Sequence, residues 1–189
     1  MPFRSVADFI AYAKANPGKV TVASFGVGST SHLAQELFCA MAGINVIHVP
    51  YRGDAPALTD AISGQVQATF STVLASLEHI SGGKLRALGV TTATRWKTLP
   101  EVRTIGETVP GNEASTWNGI GAPKGTGNDI VVRLNREINA GLTDPKLAAR
   151  ISDLGSVPMP LSSIEFGKLL AGETEKWGRV IRAAKIKPE

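Results

Sequence analysis

A single cysteine, Cys39, is all that the 189-residue chain carries, so no internal disulfide can form. Its three histidines, at 32, 48 and 79, make no Cys/His cluster at zinc spacing, and neither a structural metal nor a redox centre is expected. No run approaches the roughly 18–20 consecutive apolar residues of a membrane span. The opening stretch, MPFRSVADFIAYAKANPGK, holds Asp8 inside its apolar segment, so the chain is read as having neither a span nor a signal peptide. Basic residues are scattered and never form a block of five or six. With eleven aromatics, mostly at apolar-periodic positions, a nucleic-acid surface is excluded. The net charge of +4 leaves a mild attraction for small anions. Catalytic signatures are missing too: there is no G-x-S-x-G, no G-x-x-x-x-G-K-[ST], no complete G-x-G-x-x-G and no H-E-x-x-H. No enzyme activity and no cofactor are expected.

What is present is an ordinary globular composition, 43% apolar and 19% charged, arranged as alternating strands and helices. Ser5 with Asp8 starts an amphipathic helix that carries Val6, Phe9, Ile10 and Ala13 and stops at Asn16-Pro17-Gly18. Residues 20–24 read as a strand, 26–31 as a Gly/Ser loop, and Leu33, Leu37, Phe38 and Met41 as a helix stopped by Gly43. The unit repeats with a strand at 46–49, a loop at 50–54 and a helix at 55–62, then a strand at 66–70 and a helix at 72–80. A fourth strand is expected at 85–90, inside the sheet because it is apolar apart from Arg86. Such alternation implies an α/β fold with a mainly parallel sheet.

From 91 to 114 the periodicity disappears, and Pro100, Pro110 and Gly111 mark a linker or an irregular excursion. A fifth strand is expected at 116–121. Three helices follow: one carrying Ile130, Val131, Leu134, Ile138 and Leu142, one at 145–154, and one starting at Ser162 with Glu165. One strand cannot cover three apolar helix faces. This region is therefore expected to belong to a larger two-lobed protein or to self-associate through its unpaired faces.

In open parallel sheets, ligands bind beyond the carboxyl ends of the strands, where helix N-termini present unpaired N–H groups. The first such loop offers Gly26, Gly28, Ser29, Thr30 and Ser31. The second offers Tyr51, Arg52 and Gly53, and the third, at 69–72, short hydroxyls that include Ser71. A carboxylate or phosphate can be held there. Ser29 or Thr30 can equally serve as the helix cap, and all three histidines read more simply as structural. A Ser29/His32 nucleophile pair lacks an orienting carboxylate, which makes a hydrolase the weaker alternative.

Taken together, GVGSTSHLAQELFCAMAGINVIHVPYRGDAPALTDAISGQV, GKLRALGVTTATRWKTLPEV, WNGIGAPKGTGNDIVVRLNREI and EKWGRVIRAAKI resemble the Bug family of tripartite tricarboxylate transporter substrate-binding proteins. The resemblance covers essentially the whole chain. It implies a non-catalytic, periplasmic solute receptor of the type II periplasmic-binding-protein fold, which closes on a small carboxylate and delivers it to a membrane permease. It further implies that residues 1–114 form the second lobe and 115–189 complete the first, and that the chain begins after the segment building most of that first lobe. The carboxylate is then expected at Ser24, Gly26, Gly28, Ser29 and the Tyr51-Arg52-Gly53 turn, held by N–H groups, hydroxyls and water. Ser71 stands where many relatives have Asp, so the resemblance implies a cleft short of one fixed charge. The competing expectation is a truncated, non-binding remnant or interaction fragment.

Overall fold

The computed structural model describes residues 1–154 and 156–187. The chain divides into two compact units, one comprising residues 1–116 with the chain from Val180 on, the other residues 117–179.

In the first unit, three strands make one parallel sheet: β1 (Thr21–Ser24), β2 (Ile47–Pro50) and β3 (Ala68–Thr69), in the order β2-β1-β3. Val22 is paired with His48 on one side and with Ala68 on the other. Because side chains alternate along a strand, β1 feeds two cores. Val20 and Val22 pack with Phe3, Val6, Phe9 and Ala13 around helix α1 (Val6–Ala15) and with Phe38, Cys39 and Ala42 of α2 (Thr30–Ala42). Ala23, on the opposite face, packs with Ala57 of α3 (Asp54–Ser63) and with Val66.

The helix boundaries follow from local chemistry. Ser5 Oγ accepts the Asp8 N–H and starts α1, while the Asp8 carboxylate accepts from Arg4 N–H instead of closing on Ser5. Helix α2 starts at Ser29, whose Oγ accepts the His32 N–H, and ends where Gly43 turns left-handed at φ 63°. Helix α4 (Val73–Ser81) is capped by Thr72. Cys39 is buried, and desolvation pushes its thiol up to about 12, so it packs as a small apolar residue. A thiol-specific reagent is expected to leave native protein unmodified at pH 7.5 and to titrate one thiol per chain in denaturant. Rapid labelling of the native state would show that the helix α2 face opens readily.

The strand expected at 85–90 does not form. Only Val90 pairs, in an isolated parallel bridge with Thr104, with Val90 N–H to Arg103 O at 3.0 Å and Ile105 N–H to Val90 O at 2.8 Å. A strand requires an edge to pair with, and an apolar run alone does not supply one. Residues 85–90 and the 67–71 segment both line a groove of about 970 Å³, and the N–H groups of residues 86–89 have no protein acceptor among the described residues.

The stretch 91–114 is a packed excursion and not a linker. Leu99 and Val102 join Val90 in a third apolar cluster, and Ile105 and Val109 enter the main core. A short 3-10 helix, Ile105–Glu107, is held by a capping box between Thr104 and Glu107. Arg95 grips Glu107 through two hydrogen bonds of 2.9 and 2.8 Å, which holds that carboxyl down at about 2. Proline-marked irregular backbone thus contributes core residues that periodicity cannot detect.

The strand expected at 116–121 likewise does not form among the described residues. In the second unit, helices α5 (Asn128–Thr143) and α6 (Pro145–Asp153) are followed by α7 (Ser163–Ala183), which runs on past that unit's boundary. The Ser162–Glu165 capping box opens α7 with both reciprocal bonds made. Asn135 and Asn139 side chains both donate to Leu161 O at 2.9 Å. None of the three helices has a buried residue, and Ile130, Val132, Leu134, Leu147, Ile164 and Leu170 are exposed. Residues 155, 188 and 189 of the second expected lobe lie outside the described residues.

Candidate functional site: three loops at the carboxyl edge of the sheet

All three strands run the same way, so the loops that follow them leave one edge of the sheet. Their backbones are tied together. Tyr51 N–H donates to Ser24 O at 2.9 Å and Gly53 N–H to Phe25 O at 3.3 Å, joining the second loop to the first. Ser71 Oγ donates to Asp54 Oδ1 at 2.9 Å and Thr72 Oγ1 to Asp54 Oδ2 at 3.2 Å, joining the third to the second. The chain passes from β1 to β2 on one side and returns to β3 on the other, which makes the end of β1 the switch point at which such sheets bind ligands.

The first loop is a hydrogen-bonded frame. Ser24 is fully buried; its Oγ lies 2.6 Å from His48 Nε2 and accepts the Gly26 N–H at 3.2 Å. Ser29 Oγ donates to Gly26 O at 2.6 Å, and buried Ser31 Oγ accepts the Phe25 N–H at 3.0 Å. Gly28, left-handed at φ 70°, donates its N–H to His32 Nδ1 at 3.1 Å. The hydroxyls of Ser24, Ser29 and Ser31 and the amides of Gly26 and Gly28 are thereby spent inside the protein. Left over, with no protein acceptor among the described residues, are the N–H groups of Val27, Thr30 and Ser31. Thr30 and Ser31 open α2, and exposed Thr30 adds a hydroxyl that accepts from Thr116 Oγ1 at 3.5 Å. Two adjacent free amides at a helix N-terminus suit an anion.

The second loop divides in the same way. Tyr51 OH donates to Asp60 Oδ2 at 2.7 Å, its ring packs on the Ala23–Ala57–Val66 cluster, and that bond holds its phenol above the usual value. Arg52 is exposed, and among the described residues its side chain has no hydrogen bond or ion pair. Gly53, at φ 107° and ψ 174°, occupies a region that is nearly glycine-only, and it aims the start of α3 at the edge. In the third loop, Ser71 faces a carboxylate already, that of Asp54. Asp54, the last residue of the loop expected at 50–54, gains this role only through the fold, which brings it to Ser71 and Thr72.

Beneath the frame, the His32 and His48 rings stack 3.8 Å apart at 7°. Both titrate below the ordinary histidine value. Burial lowers His32 although Glu36, 3.6 Å from Nε2, opposes it; burial and then His32 lower His48 to about 4. The Ser29 hydroxyl receives the backbone N–H of His32, while the imidazole is turned to Gly28. Among the described residues no side-chain pair activates Ser29 as a nucleophile, and no group of three or more His, Cys, Asp or Glu is placed to hold a metal. No described helix is long and apolar enough to cross a membrane.

A family model described as tripartite tricarboxylate transporter family receptor matches residues 1–186. The chain belongs to that receptor family. It is 39% identical over 181 residues to a protein of the tcbD-tcbE intergenic region of Pseudomonas sp. strain P51, an alignment covering 95% of this chain and 54% of that one. Among solved structures it superimposes on Rpa4515 of R. palustris with adipate at a TM-score of 0.84 and 37% identity, covering 100% of this chain and 64% of the other. The periplasmic binding protein BugD matches at 0.75 and 28% identity, again covering 100% of this chain and 64% of the other. This receptor-family chain therefore has the α/β fold of the periplasmic binding proteins, and it spans about half to two-thirds of the length of these relatives.

Proposed function

We propose that the chain contributes the carboxylate-gripping half of a periplasmic solute receptor, capturing a small dicarboxylate for a transporter permease. The observation that carries this reading is the pair of unspent amides, Thr30 and Ser31, at the start of α2 beside the exposed hydroxyl of Thr30. One ligand carboxylate accepts from these groups. Arg52 supplies an uncommitted positive charge on the neighbouring loop, and Tyr51, fixed by Asp60, forms part of the wall. Ser24, Gly26, Gly28, Ser29, Ser31 and Gly53 shape the loops, and Ser71 with Asp54 sets the third wall. The adipate bound by the R. palustris relative is a ligand of this class. Residues 1–114 are read as one lobe and 115–189 as the return into the other. The exposed α5 and α7 faces support association with further polypeptide.

Calorimetric titration of adipate into the purified chain tests this, with Thr30→Pro as the decisive variant. Proline suits the first helical position and Ser29 already has ψ 163°, so the exchange deletes the amide donor and the Thr30 hydroxyl together without breaking the helix. Loss of even one hydrogen bond to a charged group costs about 1.5–3 kcal/mol, so affinity should fall at least roughly 10- to 100-fold. Arg52→Ala should lower it by less, about 1.5- to 5-fold, because an exposed charge is screened. Unchanged affinity in Thr30→Pro would remove the helix terminus from the site. Saturable binding of none among a mono-, di- and tricarboxylate set would favour the non-binding fragment instead.

A further inference from the structure

We propose that the stacked His32–His48 pair is the positioning element of the carboxylate loop, holding Gly28 N–H and Ser24 Oγ so that the loop keeps its anion-binding shape only while the His32 ring is neutral. The inference rests on the proposed carboxylate site and assigns roles to two residues that touch no ligand in it. Four contacts carry it. His32 Nδ1 accepts from Gly28 N–H at 3.1 Å, which a protonated imidazole cannot do. That contact also fixes the tautomer, with the proton on Nε2 toward Glu36. His48 Nε2 lies 2.6 Å from the hydroxyl of Ser24, the residue whose Oγ accepts Gly26 N–H. The rings lie face to face at 3.8 Å, so a charge on one opposes a charge on the other.

The neighbours of the pair leave few routes for compensating charge. Glu36 on α2 is the one carboxylate beside it among the described residues, and it reaches only His32. Ser24 on β1 and the Gly28 amide are neutral partners. Glu36 also lies near Cys39, whose thiol is far from ionising. Protonating His32 thus frees Gly28, which sits two residues before Thr30, and the amides that would face the carboxylate lose their fixed direction. Since folding lowers both imidazole values, neutrality is complete above about 6.5 and is lost as pH falls through the folded-state values. Capture should weaken over the same interval.

The test uses two readouts on the same chain. In the ligand-free protein, the Gly28 amide resonance is followed from pH 8 to 4.5 alongside the His32 ring protons; it is expected to move with that ring and to become insensitive in His32→Asn, whose Oδ1 keeps an acceptor but cannot titrate. Adipate affinity at pH 8 should be kept within about threefold in His32→Asn and fall roughly tenfold or more in His32→Leu, which offers no acceptor. Between pH 8 and 5 the wild-type affinity should drop at least about threefold further than that of His32→Asn, a comparison that cancels protonation of adipate itself. A Gly28 amide that ignores the His32 titration overturns the inference, as does a folded His32→Leu chain that binds as wild type does. Failure of the wild type to bind adipate at pH 8 would count against the carboxylate reading alone, and the amide titration would still decide the histidine role.

Discussion

Ser24→Ala is expected to destabilise the chain by about 2–4 kcal/mol and to remove carboxylate capture, although Ser24 has no surface to offer a ligand. The methyl side chain fits, but two half-buried polar groups lose the partner that Ser24 supplies. His48 Nε2 loses its 2.6 Å contact and Gly26 N–H its acceptor. Each such unsatisfied group costs about 1–3 kcal/mol, whereas removing a matched pair costs little. Because Gly26 O also receives the Ser29 hydroxyl, a shift there reaches the start of α2. Urea unfolding with an unchanged slope would measure the stability loss, and titration with adipate the loss of capture. A change under about 0.5 kcal/mol would show that Ser24 is not the hub of the loop.

The largest effect on stability is expected from Phe38→Ala, which should cost about 3–5 kcal/mol. Phe38 is buried on the inner face of α2, with its ring centroid 6.1 Å from that of Phe9 on α1 and 5.9 Å from that of Phe70, just after β3. It is the point where two helices and the sheet meet, so truncation leaves a cavity that three elements would have to close. Against a typical domain stability of 5–15 kcal/mol, such a loss moves the melting point far down or unfolds the chain outright. Ile47→Ala, half-exposed on the β2 edge, is the control and should cost less than about 1 kcal/mol. Equal losses in the two variants would mean that the aromatic cluster is not the stabilising centre of this unit.

Chain-local signals located most of the elements and the loops of the site. Caps at Ser5, Ser29 and Ser162, the stop at Gly43, and the alternation of strand and helix act within a few residues, so they can be read before folding. The parallel sense of the sheet followed from that alternation, and with it the edge where the 26–31, 51–54 and 69–72 loops gather. What failed was pairing. The 85–90 and 116–121 runs carry strand-like composition, but a strand exists only beside another, and the partner is a property of the tertiary structure.

Side-chain roles within the site were decided by the fold in the same way. A serine in a glycine-rich loop reads as a ligand hydroxyl, yet that the Ser24, Ser29 and Ser31 oxygens already have protein partners appears only once His48, Gly26 and Phe25 are in place. His32 and His48, sixteen positions apart, each look structural alone; the parallel register that sets His48 opposite Val22 puts the two rings into a stack. Asp54 and Ser71 meet across seventeen residues for the same reason. Composition, caps and periodicity therefore determined which loops gather at the edge of the sheet, where the anion site is proposed. Only the long-range contacts decided which amides remain free for it, because a hydrogen-bonding group is available to a ligand only after the protein has satisfied its own.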